Sequence, residues 1–221
     1  MLAKDLISDI IPSLKTSDTG LDALNWMEVF RVSHLPIVNN TMFLGLVSDM
    51  DIYDLNRADE PLGNHRISLS KPYVYYYQHI YEVVELASRL KLSVVPVLNE
   101  KKEYLGVISQ TDLLHRMADL IAAHTPGGIV ELTVSPRDYS LSEIARIVED
   151  SDAKILSLYV RELVPNSELV VSIKLNRTEI QPVMRAFDRY GYNMKATFAG
   201  EDGVDEMARK NYDALMRFLD I

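Results

Sequence analysis

Arg31-Val-Ser33-His34-Leu-Pro36-Ile-Val38 and Lys91-Leu-Ser93-Val94-Val-Pro96-Val-Leu98 are the same phrase written twice, 60 residues apart. Leu44-Gly45-Leu-Val-Ser48-Asp49-Met-Asp51 and Leu105-Gly106-Val-Ile-Ser109-Gln110-Thr111-Asp112 continue the match at an offset of 61. The extra residue falls between Asn39–Phe43 and Asn99–Tyr104, in a polar turn, where a repeated fold tolerates insertion most readily. The first half of the chain therefore holds one small α/β unit twice.

Working outward, each copy opens with an amphipathic helix. Thr19 with Asp22 has the form of an N-terminal cap, and Leu21, Leu24, Met27 and Phe30 mark one helical face up to about residue 31. The second helix carries Ile80, Val83, Val84, Ala87 and Leu90. After each helix the pattern predicts an apolar strand with an internal proline, a turn, and a second apolar strand introduced by glycine. Pro36 and Pro96 cannot donate an amide hydrogen, which places each at an edge or a break in pairing and leaves nearby backbone groups open to a ligand.

Ser48 to Asp51 and Ser109 to Asp112 close the two copies with Ser-x-x-Asp. Serine there suits a helix N-cap, with aspartate in the first turn favoured by free amides and the helix dipole. The same geometry suits a nucleotide: the amides and hydroxyl face phosphate, and the carboxylate accepts from two ribose hydroxyls. Capping and binding are compatible. Arg31 and Lys91 occupy equivalent places, either as cationic helix ends or beside a phosphate. Tyr73, Tyr75, Tyr76 and Tyr77 precede the second helix, and that aromatic density suits purine stacking, a dimer surface or packing of the linker.

The 221 residues carry 23 Lys and Arg against 32 Asp and Glu, a formal charge of -9, and 48% hydrophobic residues. That acidic surplus argues against a nonspecific nucleic-acid or anionic-membrane surface. Without cysteine there is no disulfide, thiolate catalyst or Cys-ligated metal. Asp5 and Asp9 interrupt any secretory apolar core, no window approaches a membrane span, and a cytoplasmic location is expected. His34, His65, His79, His115 and His124 form no metal motif, no nucleophile, base and orienter can be assigned, and no Gly-rich phosphate loop is present. Asp49 and Asp51 fit a solvated turn and cap rather than a Mg2+ pair. No catalytic or metal residue is expected, and no required cofactor.

Beyond the Thr125-Pro126-Gly127-Gly128 junction, Ile129–Val134 reads as a strand. Ser140 with Glu143 forms a capping-box candidate for a helix bearing Leu141, Ile144, Ile147 and Val148. Strands are expected over Ile155 to Val160 and Glu168 to Ile173 around a turn at Pro165-Asn166. A helix with Ile180, Val183, Met184 and Phe187 ends near Gly191, before a strand from Tyr192 to Phe198. The β-α-β-β-α-β order predicts an antiparallel sheet with helices on one face. Val204, Met207, Ala208, Tyr212, Leu215, Met216 and Leu219 mark a further helix over residues 201–221.

Pro36-Ile37-Val38, Gly45-Leu46-Val47-Ser48-x-x-Asp51 and their copies resemble a tandem pair of cystathionine-β-synthase (CBS) domains, at 1–62 and 63–124. The resemblance implies α/β domains with two clefts between them for an adenosine nucleotide or adenosyl ligand: ATP, ADP, AMP or S-adenosylmethionine. It places Asp51 and Asp112 at ribose, Ser48, Ser109 and Thr111 near phosphate, and His34 and Val94 beside the clefts, so that the clefts are inequivalent. Residues 128–199 resemble an α+β, ferredoxin-like ACT-type domain, with Tyr139 where that family often has glycine, which argues against close approach of an amino acid. The layout resembles acetoin-utilisation-like CBS-domain proteins. What it implies is a homodimeric regulatory protein, not an enzyme, coupling an adenosyl ligand to assembly or a protein partner, with no nucleic acid or membrane involved. The other reading is a constitutive adaptor or oligomerisation protein with no nucleotide.

Overall fold

Each helix-strand-strand repeat begins at a capped helix, as the sequence requires. In the computed structural model, which describes residues 1–55, 57–67, 69–164 and 168–198, the first repeat runs α1 (Gly20–Phe30), β1 (His34–Asn39), β2 (Met42–Ser48) and α2 (Asp49–Tyr53). The second runs β3 (Val74–Tyr75), α3 (Ile80–Leu90), β4 (Val94–Leu98), β5 (Tyr104–Ser109) and α4 (Gln110–Leu120). Thr19 Oγ1 accepts the Asp22 amide at 3.1 Å while Asp22 Oδ2 accepts the Thr19 amide at 3.0 Å, the reciprocal box expected of that pair. His79 and Glu82 take the corresponding places at α3.

Both helices stop in the same way. Arg31 and Lys91 turn into the left-handed conformation at φ 55° and 53°, and their amides return to the last turn. The buried stripes differ from the expected ones. Gly20, Ala23 and Met27 face the core of α1 and leave Leu21 exposed; in α3, Leu86 joins Ile80, Val83 and Ala87 while Leu90 is exposed. In α1 the buried stripe keeps Met27 but is centred on Gly20 and Ala23 rather than Leu21, with the small Gly20 close against Ile52 and Ala58.

The strands β1 and β2 pair antiparallel, as do β4 and β5, with a bulge at Ile37/Val38 and again at Val97/Leu98. Gly45 and Gly106 lie inside their strands rather than introducing them. Pro36 pairs with Leu46 in register, one residue before the bulge, and the backbone beside it is not left open to a ligand: Leu14 bridges Ile37 through the Pro36 carbonyl and the Val38 amide, at 2.8 and 2.7 Å. Val74 bridges Val97 in the matching place beside Pro96.

The copies also exchange segments. Ser8 bridges Val107 of the second repeat, and Ser70 bridges Leu46 of the first. Each crossing passes over the strand glycine: a Cβ on Gly45 would stand 2.7 Å from the Ser70 carbonyl oxygen, and one on Gly106 would press into Ile7. The two glycines are where the crossing segment needs the space, for the Ser70 backbone at Gly45 and for the Ile7 side chain at Gly106.

These repeats occupy the compact unit Met1–Arg116; the unit Met117–Ile221 is separate. Its elements are β6 (Ile129–Val134), α5 (Leu141–Asp150), β7 (Ile155–Val164), β8 (Glu168–Leu175), α6 (Gln181–Arg189) and β9 (Asn193–Phe198). They form a four-stranded antiparallel sheet in the order β7-β8-β6-β9, the β-α-β-β-α-β unit expected. Val130, Leu132 and Val134 alternate inward from β6 onto Ile144, Ile147, Val148, Val183 and Phe187 of the two helices.

Two details of this unit differ from expectation. β7 extends four residues past Val160, carried by its pairing with β8. Ser140 Oγ accepts the Glu143 amide at 3.3 Å, but the Glu143 carboxylate accepts from Tyr192 Oη at 3.1 Å instead of closing a box. The expected Pro165-Asn166 turn and the helix over 201–221 lie outside the described residues.

Candidate functional site

The antiparallel register sets Ser48 opposite His34 and Ser109 opposite Val94, so each Ser-x-x-Asp turn faces the residue at the start of its own hairpin. In the first turn Ser48 Oγ accepts the Asp51 amide at 3.1 Å, and Asp51 Oδ2 accepts the Ser48 amide and hydroxyl at 2.8 and 2.7 Å. In the second, Ser109 Oγ accepts the Asp112 amide at 2.9 Å and donates to Asp112 Oδ2 at 2.7 Å. The capping expectation holds at both. In each carboxylate Oδ2 is anchored by serine, and among the described residues Oδ1 has no hydrogen-bond partner. Ser109 is buried and Thr111 exposed.

The two turns have different neighbours. His34 Nδ1 lies 3.1 Å from both Ser33 Oγ and Ser93 Oγ, and accepts the Ser93 amide at 3.4 Å. An amide only donates, so Nδ1 carries the lone pair and the neutral ring keeps its proton on Nε2. Ser93 Oγ also accepts the Ser33 amide, at 3.0 Å. His34 is thus tied into the contact between repeats. Burial lowers its pKa below the ordinary 6.5, opposed by the charges of Asp49 and Asp51. Val94 is its counterpart in the second copy, fully buried and apolar.

Arg31 and Lys91 are exposed and serve as left-handed helix ends. The tyrosines pack on one another: Tyr75 stacks on Tyr77 at 5.5 Å, Tyr73 meets Tyr75 edge-on at 5.4 Å, and Tyr76 meets Tyr77 at 5.3 Å. Among the described residues, no three His, Asp or Glu come together as a metal site. No helix among them is long and apolar enough to cross a membrane.

The sequence of residues 67–119 matches the family model of the CBS domain. The second repeat is a CBS domain. Its equivalent elements, caps and bulge recur in the first repeat, so the chain carries a CBS-domain pair. Similar solved structures include a CBS domain pair/ACT domain protein from Thermotoga maritima, at 22% identity and TM-score 0.48, covering 54% of this chain and 98% of that one. A candidate acetoin utilization protein from Vibrio cholerae is 22% identical with TM-score 0.49, over 56% of this chain and 95% of its own. CBSX2 in complex with AMP is 18% identical with TM-score 0.46, over 53% and 96%.

Of the residues singled out in the sequence, Ser48, Asp51 and His34 gather at one end of the first hairpin, and Ser109, Asp112 and Val94 at the same end of the second. Ser33 and Ser93, which join the copies through His34, were not singled out. Their identity across the repeat was the available signal.

Proposed function

We propose that the CBS pair senses an adenosine nucleotide or related adenosyl ligand, that the Ser109 to Asp112 turn is the working site, and that occupancy biases the arrangement of the repeats and homodimeric assembly. The supporting observation is the carboxylate held by serine at one oxygen and open at the other. A carboxylate fixed in that way is ready to accept from a ribose diol without reorganising, while the first-turn amides of α4 and nearby Thr111 suit phosphate. Val94 offers the second turn an apolar neighbour, whereas His34 in the first is engaged with Ser33 and Ser93. The β-α-β-β-α-β unit, read as an ACT-type domain over 128–199, would transmit the change to a protein partner or a second copy. Such coupling requires the ligand to prefer one arrangement over the other.

Calorimetric titration of the ligand-free chain with AMP, ADP, ATP and S-adenosylmethionine tests the proposal, AMP leading because CBSX2 holds it. Asp112→Asn is expected to weaken binding by about 10-fold or more, the worth of a hydrogen bond to a charged group, and Asp51→Asn by less than about twofold. Thermal melts establish that both variants fold. If none of the four compounds binds while fold and assembly persist, the chain is a constitutive adaptor.

A further inference from the structure

Beside β3 and along one side of α3, the second repeat carries an open groove of about 400 Å³ that shares no residue with the Ser-x-x-Asp turns. Val74 and Leu86 form its buried apolar part; Tyr73, Tyr81, Glu82 and Glu85 supply aromatic rings and carboxylates. Its volume is that of a small-molecule site.

The first repeat acts as an internal control on the same scaffold. Ser13 stands where the second has Tyr73, Leu21 for Tyr81, Asn25 for Glu85, and Trp26, stacked on Phe30 at 5.8 Å, for Leu86. Asp22 stands for Glu82 in the equivalent capping box, so that carboxylate belongs to the shared scaffold, whereas the fold is built without the tyrosines and Glu85 in one copy and does not demand them in the other.

Their charges do not cancel. Glu85 pairs at 2.7 Å with Arg89, which also lines the groove and leaves it one net negative charge. Glu82 accepts from two neutral donors, the His79 amide at 3.1 Å and the Gln78 side-chain amide, and among the described residues no lysine or arginine pairs with it. Both bonds hold the carboxylate in place, and His79 packs edge-on against the Tyr81 ring at 4.7 Å. A carboxylate held in place without a paired cation, beside an oriented tyrosine and above an apolar base, is a receptor for a cation with a hydrocarbon body. The chain's charge of -9 draws cations toward it.

We propose that this groove binds a small organic ammonium ion, its charged head at Glu82 and Tyr81 and its apolar body over Leu86 toward Tyr73. The test titrates the full chain with 2-phenylethylammonium, and separately with the uncharged 2-phenylethanol, following tyrosine ring resonances and heat. The ammonium is expected to saturate in the millimolar range or below, to shift Tyr73 and Tyr81, and to bind about 10-fold more tightly than the alcohol. Glu82→Gln, which keeps an oxygen for the helix cap, is expected to reduce that preference below about threefold, and Tyr81→Ala to weaken the ammonium about fivefold. Asp112→Asn leaves both unchanged, which separates this groove from the nucleotide site. Absence of saturable shifts at Tyr73 and Tyr81 up to about 10 mM, or equal affinity for the alcohol, overturns the proposal.

Discussion

At His34 the ring nitrogen that accepts the Ser93 amide must stay unprotonated, and that requirement has a pH consequence. The folded-state pKa is lowered from 6.5, chiefly by burial. Between that lowered value and 6.5 the unfolded chain binds more protons than the folded one, so stability rises with pH there. The contribution is complete above about pH 6.5 and is lost as pH falls through the folded pKa. Melts of the wild type are expected to drop as pH falls below about 6.5, and those of His34→Gln, which keeps an acceptor for Ser93, to drop visibly less. Parallel curves for the two chains would count against the assignment. The residue's role was only half legible in the sequence. The mismatch with Val94 marks His34 as unusual, but its partner lies in the other copy, beyond any local pattern.

The helices and strands were readable where the information is local. The caps at Thr19, Ser48 and Ser109 follow from hydrogen bonds three residues apart, and the inward alternation of β6 follows from strand periodicity. The buried stripe of α1 was misplaced because Gly20 and Ala23 contribute little hydrophobicity to a pattern yet allow the closest packing, while Leu21 contributes much and faces out. The helix ends at Arg31 and Lys91 were legible from position and charge, but their left-handed turn, made without glycine, was not. Arg31 at φ 55° adopts a conformation that costs an L-residue about 1–2 kcal/mol and glycine nothing, against about 0.5–1 kcal/mol of added unfolded-chain entropy. Arg31→Gly is therefore expected to raise stability in urea by about 0.5–1 kcal/mol, and Arg31→Ala is not. Arg31→Gly is also expected to leave nucleotide affinity unchanged, because the side chain is an exposed helix end.

Within the unit Met1–Arg116 the two copies are interlocked rather than simply adjacent, and no sequence pattern announces it. The crossings are single bridges, Ser8 to Val107 and Leu46 to Ser70, too short for periodicity to register. Only Gly45 and Gly106, at the places where the crossings need room, hint at them. The Met1–Ser8 segment consequently belongs, in packing, to the second repeat. Ala3 and Lys4 donate to the Gln78 and Tyr76 carbonyls at 2.8 and 3.0 Å, Ile80 donates back to Met1 at 3.1 Å, and Ala3 and Leu6 are buried. Removing residues 2–8 exposes that apolar surface and leaves these backbone groups without partners, a cost of about 3 kcal/mol or more. Amide exchange should locate the damage. Protection in β4 and β5, more than 80 residues away in sequence from the deletion, is expected to fall by about 100-fold, with β1 and β2 less affected. A loss confined to residues 76–80 would mean that the segment is only an appendage, and an equal loss in both hairpins would mean that the copies unfold as one body whichever crossing is cut.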